Sequence, residues 1–383
     1  MVEGTLPGTN GSGIGLYVDV EAVVTASDIV LKGNQEQIFA IASEADLSRL
    51  VVVDSVGNDF GVGVISQDAA EVTLSSSVVR GNLSGGAALF TASLISTENL
   101  YEANSGSTFE TDGLAVIDGS TLQSFGDVVL DHAGMGYLAV QTLASSDPNL
   151  ITVRRGLVEG QSGIAGSLDW GIGFALNGGT GGQISDTVIR ANHDIGVYVS
   201  DVSSSGSLPS AVNLANCRIE GTLPSQAHDG NGVALQALGD AQVSALQTLF
   251  LDSRGAGVHV AGASVALVEC EVSGVEDNVV TLGDLGLASE SGGDALMVQG
   301  TSLDGEPLSP EGFDTGLTVS DSWIDGAERA AILAHAAPAT LSSTRFGGSV
   351  YGVVEQEGGD VTLDGTVEED IDEPAPSETL SVP

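Results

Sequence analysis

The stretch VEGTLPGTNGSGIGLYV that begins at Val2 returns as IEGTLPSQAHDGNGVALQ at Ile219, and a third version, LVEGQSGIAGSLDWGIGFAL, starts at Leu157. A chain that repeats a phrase around a loop of variable length folds as a series of like units, because each copy has one apolar face and needs a neighbour to bury it. The segments VTLSSSVVRGN (Val72 to Asn82), QISDTVIRAN (Gln183 to Asn192), VSALQTLFLDS (Val243 to Ser253) and LTVSDSWIDGA (Leu317 to Ala327) share one alternation of apolar positions. Each predicts a strand with a turn. A second short strand follows a few residues on: GVGVI at Gly61, GVYVS at Gly196, GVHVA at Gly257 and AAILA at Ala330. The unit is strand, turn, strand and a further bend into the next copy, with a period of roughly 20–25 residues where no loop is inserted.

With period-two alternation and no long helical pattern, successive copies must stack strand on strand. A leucine-rich repeat would need its L-x-x-L-x-L frame, a left-handed hexapeptide helix a strict six-residue beat, and propeller blades about 40 residues or more. None of these is present. The beat S/D-x-V/I-x-x-N followed by G-V/I-x-V/I resembles the right-handed parallel β-helix proteins of the pectin-lyase-like superfamily, of bacterial surface or secreted type, over nearly the whole chain. The resemblance implies an all-β, right-handed parallel β-helix (β-solenoid) of about a dozen coils over residues 1–366. The opening in mid-phrase reads as a solenoid truncated at its N-terminal end. Residues 367–383, VEEDIDEPAPSETLSVP, abandon the beat and read as an acidic, proline-containing tail.

Charge narrows the partners. Fifty-two acids face ten basic residues, for a formal net charge of −42, and Lys32 is the sole lysine. Phosphate and uronate polymers are repelled by such a surface, which argues against nucleic acid and acidic polysaccharide. Divalent cations such as calcium are attracted only diffusely, and no cofactor or specific metal site is expected, since the calcium nonapeptide does not recur. No run of eighteen apolar residues is present, so no membrane span is expected.

Five residues before the turn position lies a column of small side chains: Ser77, Thr187, Cys217, Thr248, Cys270, Ser322 and Thr344. With Thr248 between them, Cys217 and Cys270 would stand roughly 10 Å apart at about 4.8 Å per coil, beyond the reach of a disulfide. Two buried thiols outside any disulfide are expected. The turn position carries Asn34, Asn58, Asn82, Asn104 and Asn192. Asparagine tolerates left-handed backbone and bonds its neighbours above and below, so a structural asparagine ladder is predicted there.

Insertions at residues 4–13, 160–171, 221–232 and 274–293 fall at one bend and would line one edge. Those at 200–210 and 300–315 would flank another. Variable loops on a solenoid are where such proteins bind, so the first edge is the candidate functional surface. Asp169 and Trp170 form a candidate sugar platform, with His228 and Asp229 in a neighbouring loop. Trp323 and Tyr198 read as strand aromatics.

The catalytic sets that the resemblance would supply, N-T-D, H-G and R-I-K or R-x-P-x-x-R, are absent; Arg218 and Ile219 stand in CRIEG without the lysine. What remains are acid–histidine neighbours: Asp131-His132, His193-Asp194 and His228-Asp229. Asp131, Asp194 and Asp229 are the candidate catalytic acids. His132 and His193 would lie on the order of 10 Å apart, a separation compatible with the carboxylates of an inverting hydrolase. The leading expectation is nevertheless a non-enzymatic secreted or cell-surface module, adhesive or spacer-like, that binds a glycan or surface protein. The alternatives are a carbohydrate-active enzyme, hydrolase or lyase, and a subunit that self-associates end to end.

Overall fold

The computed structural model describes residues 1–4, 13–56, 61–104, 112–142, 147–162, 171–201, 209–224, 232–282, 287–301, 307–308 and 315–373. No helix occurs among them. The chain divides into two compact units. The first comprises Met1–Ile164, Asp169–Thr187 and Ser205–Leu208, and the second Ala165–Leu168, Val188–Ser204 and Pro209–Pro383. Each is a right-handed parallel β-helix, the architecture that the sequence resemblance implies.

A coil has three strands, not two. In one coil of the first unit these are Glu71–Ser75, Val78–Arg80 and Gly85–Phe90. Each pairs in parallel with its counterpart in the coil before and the coil after. The segment read from sequence as a single strand with a turn is therefore two strands meeting at a corner. Ser76 makes that corner with φ 48°, and Gly81 makes the next with φ 63°. A single left-handed residue turns the chain in so few positions that the apolar alternation runs on through it, which hides the break. Seven five-residue strands of the Glu71–Ser75 type are described in the first unit and six in the second.

The middle residue of every three-residue strand points inward. Leu31, Val52, Val79, Tyr101, Val129 and Val158 in the first unit, and Ile189, Ile219, Phe250, Val272 and Ile324 in the second, are all buried, as is Phe346 at the matching position of the longer strand Arg345–Gln356. In the first unit two tyrosine hydroxyls lie inside this core. Tyr101 and Tyr137 are satisfied at 2.9 Å by Ser96 and Ser124, and Ser124 also donates to Asp127 at 2.6 Å. Burial raises the Asp127 carboxyl above its usual range, against the pull of these hydrogen bonds.

A second column accounts for a set of glycines inside the strands. Gly63, Gly86 and Gly113 open the long strands of the first unit and face inward, where an added Cβ would sit 2.9 Å from Asn82 Nδ2, 3.1 Å from Asn104 Nδ2 and 3.2 Å from His132 Nε2 of the next coil. In the second unit Gly196 and Gly257 face Thr222 and Val275 in the same way. The same register sets Ala234, Ala295 and Ala331 beside smaller residues, Ser253, Ala327 and Ser349. Where the corner residue is large its neighbour is glycine, and where it is small alanine fits, so the pair conserves volume.

The winding also continues past its expected end. Val367–Glu373 is a strand in parallel register with Arg345–Gln356, pairing Val367 with Arg345 and Glu373 with Tyr351. The acidic tail expected from residue 367 is thus a further rung, because a ladder of backbone hydrogen bonds makes no demand on outward side chains. Residues 374–383, with Pro374 and Pro376, lie outside the described residues.

Outward positions of the five-residue strands are notably neutral in the second unit. From Ala211, Asn213 and Ala215 through Gln242, Ser244 and Leu246 to Pro338, Thr340 and Ser342, five successive strands carry no charged residue.

Candidate ligand-binding face

The three-residue strands present their first and third residues outward. In the first unit the first position is Val30, Val51, Val78, Leu100, Val128 and Leu157, all half-buried. In the second unit it becomes Val188, Arg218, Leu249, Glu271, Trp323 and Arg345. Trp323 is 46% exposed. It pairs in register with Glu271 on one side and Arg345 on the other, one strand spacing of about 4.8 Å each way. Backbone bonds fix this trio, with Trp323 N–H donating to Cys270 O at 2.9 Å and Arg345 N–H to Ser322 O at 3.0 Å.

Two grooves flank the indole. One of about 400 Å³ is lined by Leu249, Glu269, Glu271, Asp321, Trp323 and Arg345 among others. The other, about 260 Å³, is lined by Trp323, Asp325, Arg345, Phe346, Glu369 and Asp370 among others. Arg345 makes no ion pair among the described residues. An indole face held on a paired strand, with carboxylates and a guanidinium within a side chain's length, offers apolar area at little cost in side-chain entropy together with hydrogen-bonding groups. The corner that follows these strands also carries the inserted loops. Directly beyond Glu271–Ser273 the insertion forms an antiparallel hairpin, Asp277–Leu282 with Leu287–Gly292. At its base Arg329 donates to both oxygens of the buried Asp294 carboxylate, whose pKa burial raises to about 6 in spite of that bond.

Sequence reasoning placed Trp323 on a strand, where it lies, but in no site, although the signal was present: in SDSWIDG, alternation sends Ile324 inward and so turns Trp323 and Asp325 out. The residues that it did select fall elsewhere. Asp169, Trp170, His228 and Asp229 lie outside the described residues. Asp131 is exposed at a corner with φ 53°, its carboxylate against Gly160 of the next coil, the arrangement that Asp54 and Gly81 also adopt. Asp194 has φ 95° and is 3% exposed, so its carboxylate is not presented to solvent. Its N–H donates to Leu223 O at 2.7 Å.

Asn34, Asn82 and Asn104 occupy the inner corner of the first unit, fully buried. Asn104 Oδ1 accepts from Asn82 N–H at 2.9 Å and from Asn82 Nδ2 at 3.1 Å. Asn58 lies outside the described residues; Ser55 holds the corner in its coil, and its N–H donates to Asn82 Oδ1 at 3.3 Å. His132 continues the column. Its Nε2 lies 3.3 Å from Tyr101 O, an acceptor only, which assigns the proton to Nε2 and leaves Nδ1 to accept from Asn104 Nδ2 at 3.4 Å. Burial lowers the His132 pKa to about 4. Asn192 opens the corner column of the second unit, where Thr222, Ser253, Val275 and Ala327 follow. Cys217 and Cys270 are buried and not disulfide-linked. Each thiol donates to the carbonyl two residues back, at 3.5 and 3.4 Å, as Thr248 and Ser322 do in the same column.

No family model and no curated protein matches the chain. Solved structures do match. They include the A-module of the mannuronan C-5 epimerase AlgE4 of Azotobacter vinelandii, at 15% identity over 88% of this chain and 91% of that one, with a TM-score of 0.42. PfbA, a surface adhesin of Streptococcus pneumoniae, matches at 10% identity over 93% of this chain and 82% of that one, with a TM-score of 0.41. Pectate lyase Pel9A matches at 9% identity over 88% and 73%, with a TM-score of 0.37. At these values none of them informs the site.

Proposed function

We propose that this right-handed parallel β-helix is a non-enzymatic, secreted or cell-surface module that binds a glycan across the Trp323 face of its second unit. The observation that carries this reading is the replacement of the aliphatic outer column by an exposed tryptophan between Glu271 and Arg345, with a groove on either side. A sugar ring has an apolar face for the indole and hydroxyls for the carboxylates and guanidinium. The strand-borne position suits binding, since the aromatic is held before the ligand arrives. The inserted loops at the following corner would border the same face.

The test is binding of the protein to a panel of immobilised glycans, with Trp323→Ala alongside. A bound glycan whose affinity falls by at least tenfold in the variant, about 1.4 kcal/mol, supports the reading, provided the melting temperature is unchanged. Trp323 is outward, so its loss should not disturb the core. Absence of binding to any glycan, or binding indifferent to Trp323, overturns it.

A further inference from the structure

The two grooves beside Trp323 are not neutral. Their linings contain six carboxylates, Glu269, Glu271, Asp321, Asp325, Glu369 and Asp370, and a single base, Arg345. We propose, resting on the glycan-binding reading above, that the ligand of the Trp323 face is a cationic glycan built of 2-amino-2-deoxy sugars with unacylated amines.

The argument is one of charge complementarity at a shaped, aromatic site. Glu271 and Arg345 flank the indole along the column, and Asp325 is the outward residue two places along the same strand, so carboxylates and ring face lie within one sugar unit of each other. A pyranose stacked on the indole turns its substituents toward the two grooves. A protonated amine there meets carboxylates on both sides, and charge-assisted hydrogen bonds of this kind are about twice as strong as neutral ones. An uncharged acetamido group gains no such bond, and a uronate is repelled. Glu269 and Asp321 mark corners, with φ 53° and 50°, so their backbone is fixed by the winding and their carboxylates are carried by the coil, not by a loop. Arg345 supplies the donor for ring or hydroxyl oxygens that carboxylates cannot serve.

The experiment is titration of the full chain with the tetramer of glucosamine, the tetramer of N-acetylglucosamine and an oligouronate, at a pH where the amines are protonated. Salt is held at about 0.15 M, where exposed charges further apart than about 8 Å are screened and diffuse attraction to the acidic surface is suppressed. Tryptophan emission and calorimetry report binding, and Trp323→Ala and the pair Glu271→Gln with Asp325→Asn are run alongside. The expected result is binding of the glucosamine tetramer at least about tenfold tighter than its acetylated counterpart. Both variants should weaken it by a similar factor, and the oligouronate should not bind. If the acetylated tetramer binds as well or better and depends on Trp323, glycan binding stands and the cationic preference is overturned. If glucosamine binding is the same in Trp323→Ala, the acidic surface is acting at large and the proposal is overturned. Failure of the glucosamine tetramer to bind overturns the cationic preference, while the glycan-binding reading itself stands or falls with the wider panel of immobilised glycans.

Discussion

The two units solve the same inner corner differently. In the first, Asn82, Asn104 and His132 stack as hydrogen-bonded side chains, each opposed by a glycine. In the second, the column opens with Asn192 and then runs through Thr222, Ser253, Val275 and Ala327, and alanine replaces glycine wherever the corner side chain shrinks to serine or alanine. Their outer columns differ in the same sense, aliphatic from Val30 to Leu157 in the first, whereas in the second Arg218, Glu271, Trp323 and Arg345 join the aliphatic Val188 and Leu249. The lesson is that the winding requires only an alternation and a conserved volume at each corner. Polar bonding at the corner is one way of filling it, and outward positions are left to function.

The strongest challenge to this contrast is Gly86→Ala, whose Cβ would meet Gly113 O, Tyr101 Cδ1 and Asn104 Nδ2. It should lower unfolding free energy by about 3 kcal/mol, read as a shift in the urea midpoint. Ala295→Gly in the second unit should cost only about 0.5–1 kcal/mol. Equal losses would mean that corner volume is not what separates the units.

Acid should find the first unit through His132. Its pKa is held near 4 when folded and is about 6.5 when unfolded. The unfolded chain therefore takes up a proton first, and the stability contributed by neutral His132 is full above about 6.5 and is lost as pH falls toward 4. Asp294 in the second unit works in the opposite direction. Its pKa of about 6 when folded exceeds the unfolded value, so protonation between about 6 and 4 adds stability there. His132→Asn, which places the column's own residue at the corner, should flatten the loss in the first unit by about 2–3 kcal/mol at pH 4. Hydrogen exchange resolved by segment would show it, and a pH profile that the variant leaves untouched would refute the assignment.

The smallest effect is the sharpest. Asn104→Ala strips the acceptor from the Asn82 N–H and should cost about 1–3 kcal/mol. At the same corner of the second unit the Ser253 hydroxyl is fully buried and has no hydrogen-bond partner among the described residues, so Ser253→Ala should change stability by no more than about 0.5 kcal/mol. A large loss at Ser253 would show that the second unit also relies on polar bonding.

Much of the architecture was legible from the alternation itself. Val72, Leu74, Val243 and Leu317 are core residues because period two sends them inward. The third strand was not legible, since a lone left-handed residue such as Ser76 turns the chain without interrupting that pattern. The Asn58 assignment followed the residue type, but the corner is set by register, and Ser55 stands two places after Val53 as Asn82 does after Arg80. Residues 367–373 misled through composition, because acidic side chains facing water say nothing about the backbone ladder behind them. The site was missed for a related reason: attention to insertions favours loops, whereas Trp323 is distinguished only by being the aromatic in a column that is otherwise aliphatic or charged.

The uncharged outward positions from Ala211 to Ser342 give the second unit an electrically silent side on a polyanionic chain. Whatever rests against that side does so without ion release, and so without much regard for ionic strength, while contacts at the Trp323 face should loosen as salt rises. Brine would then peel one side away and leave the other attached.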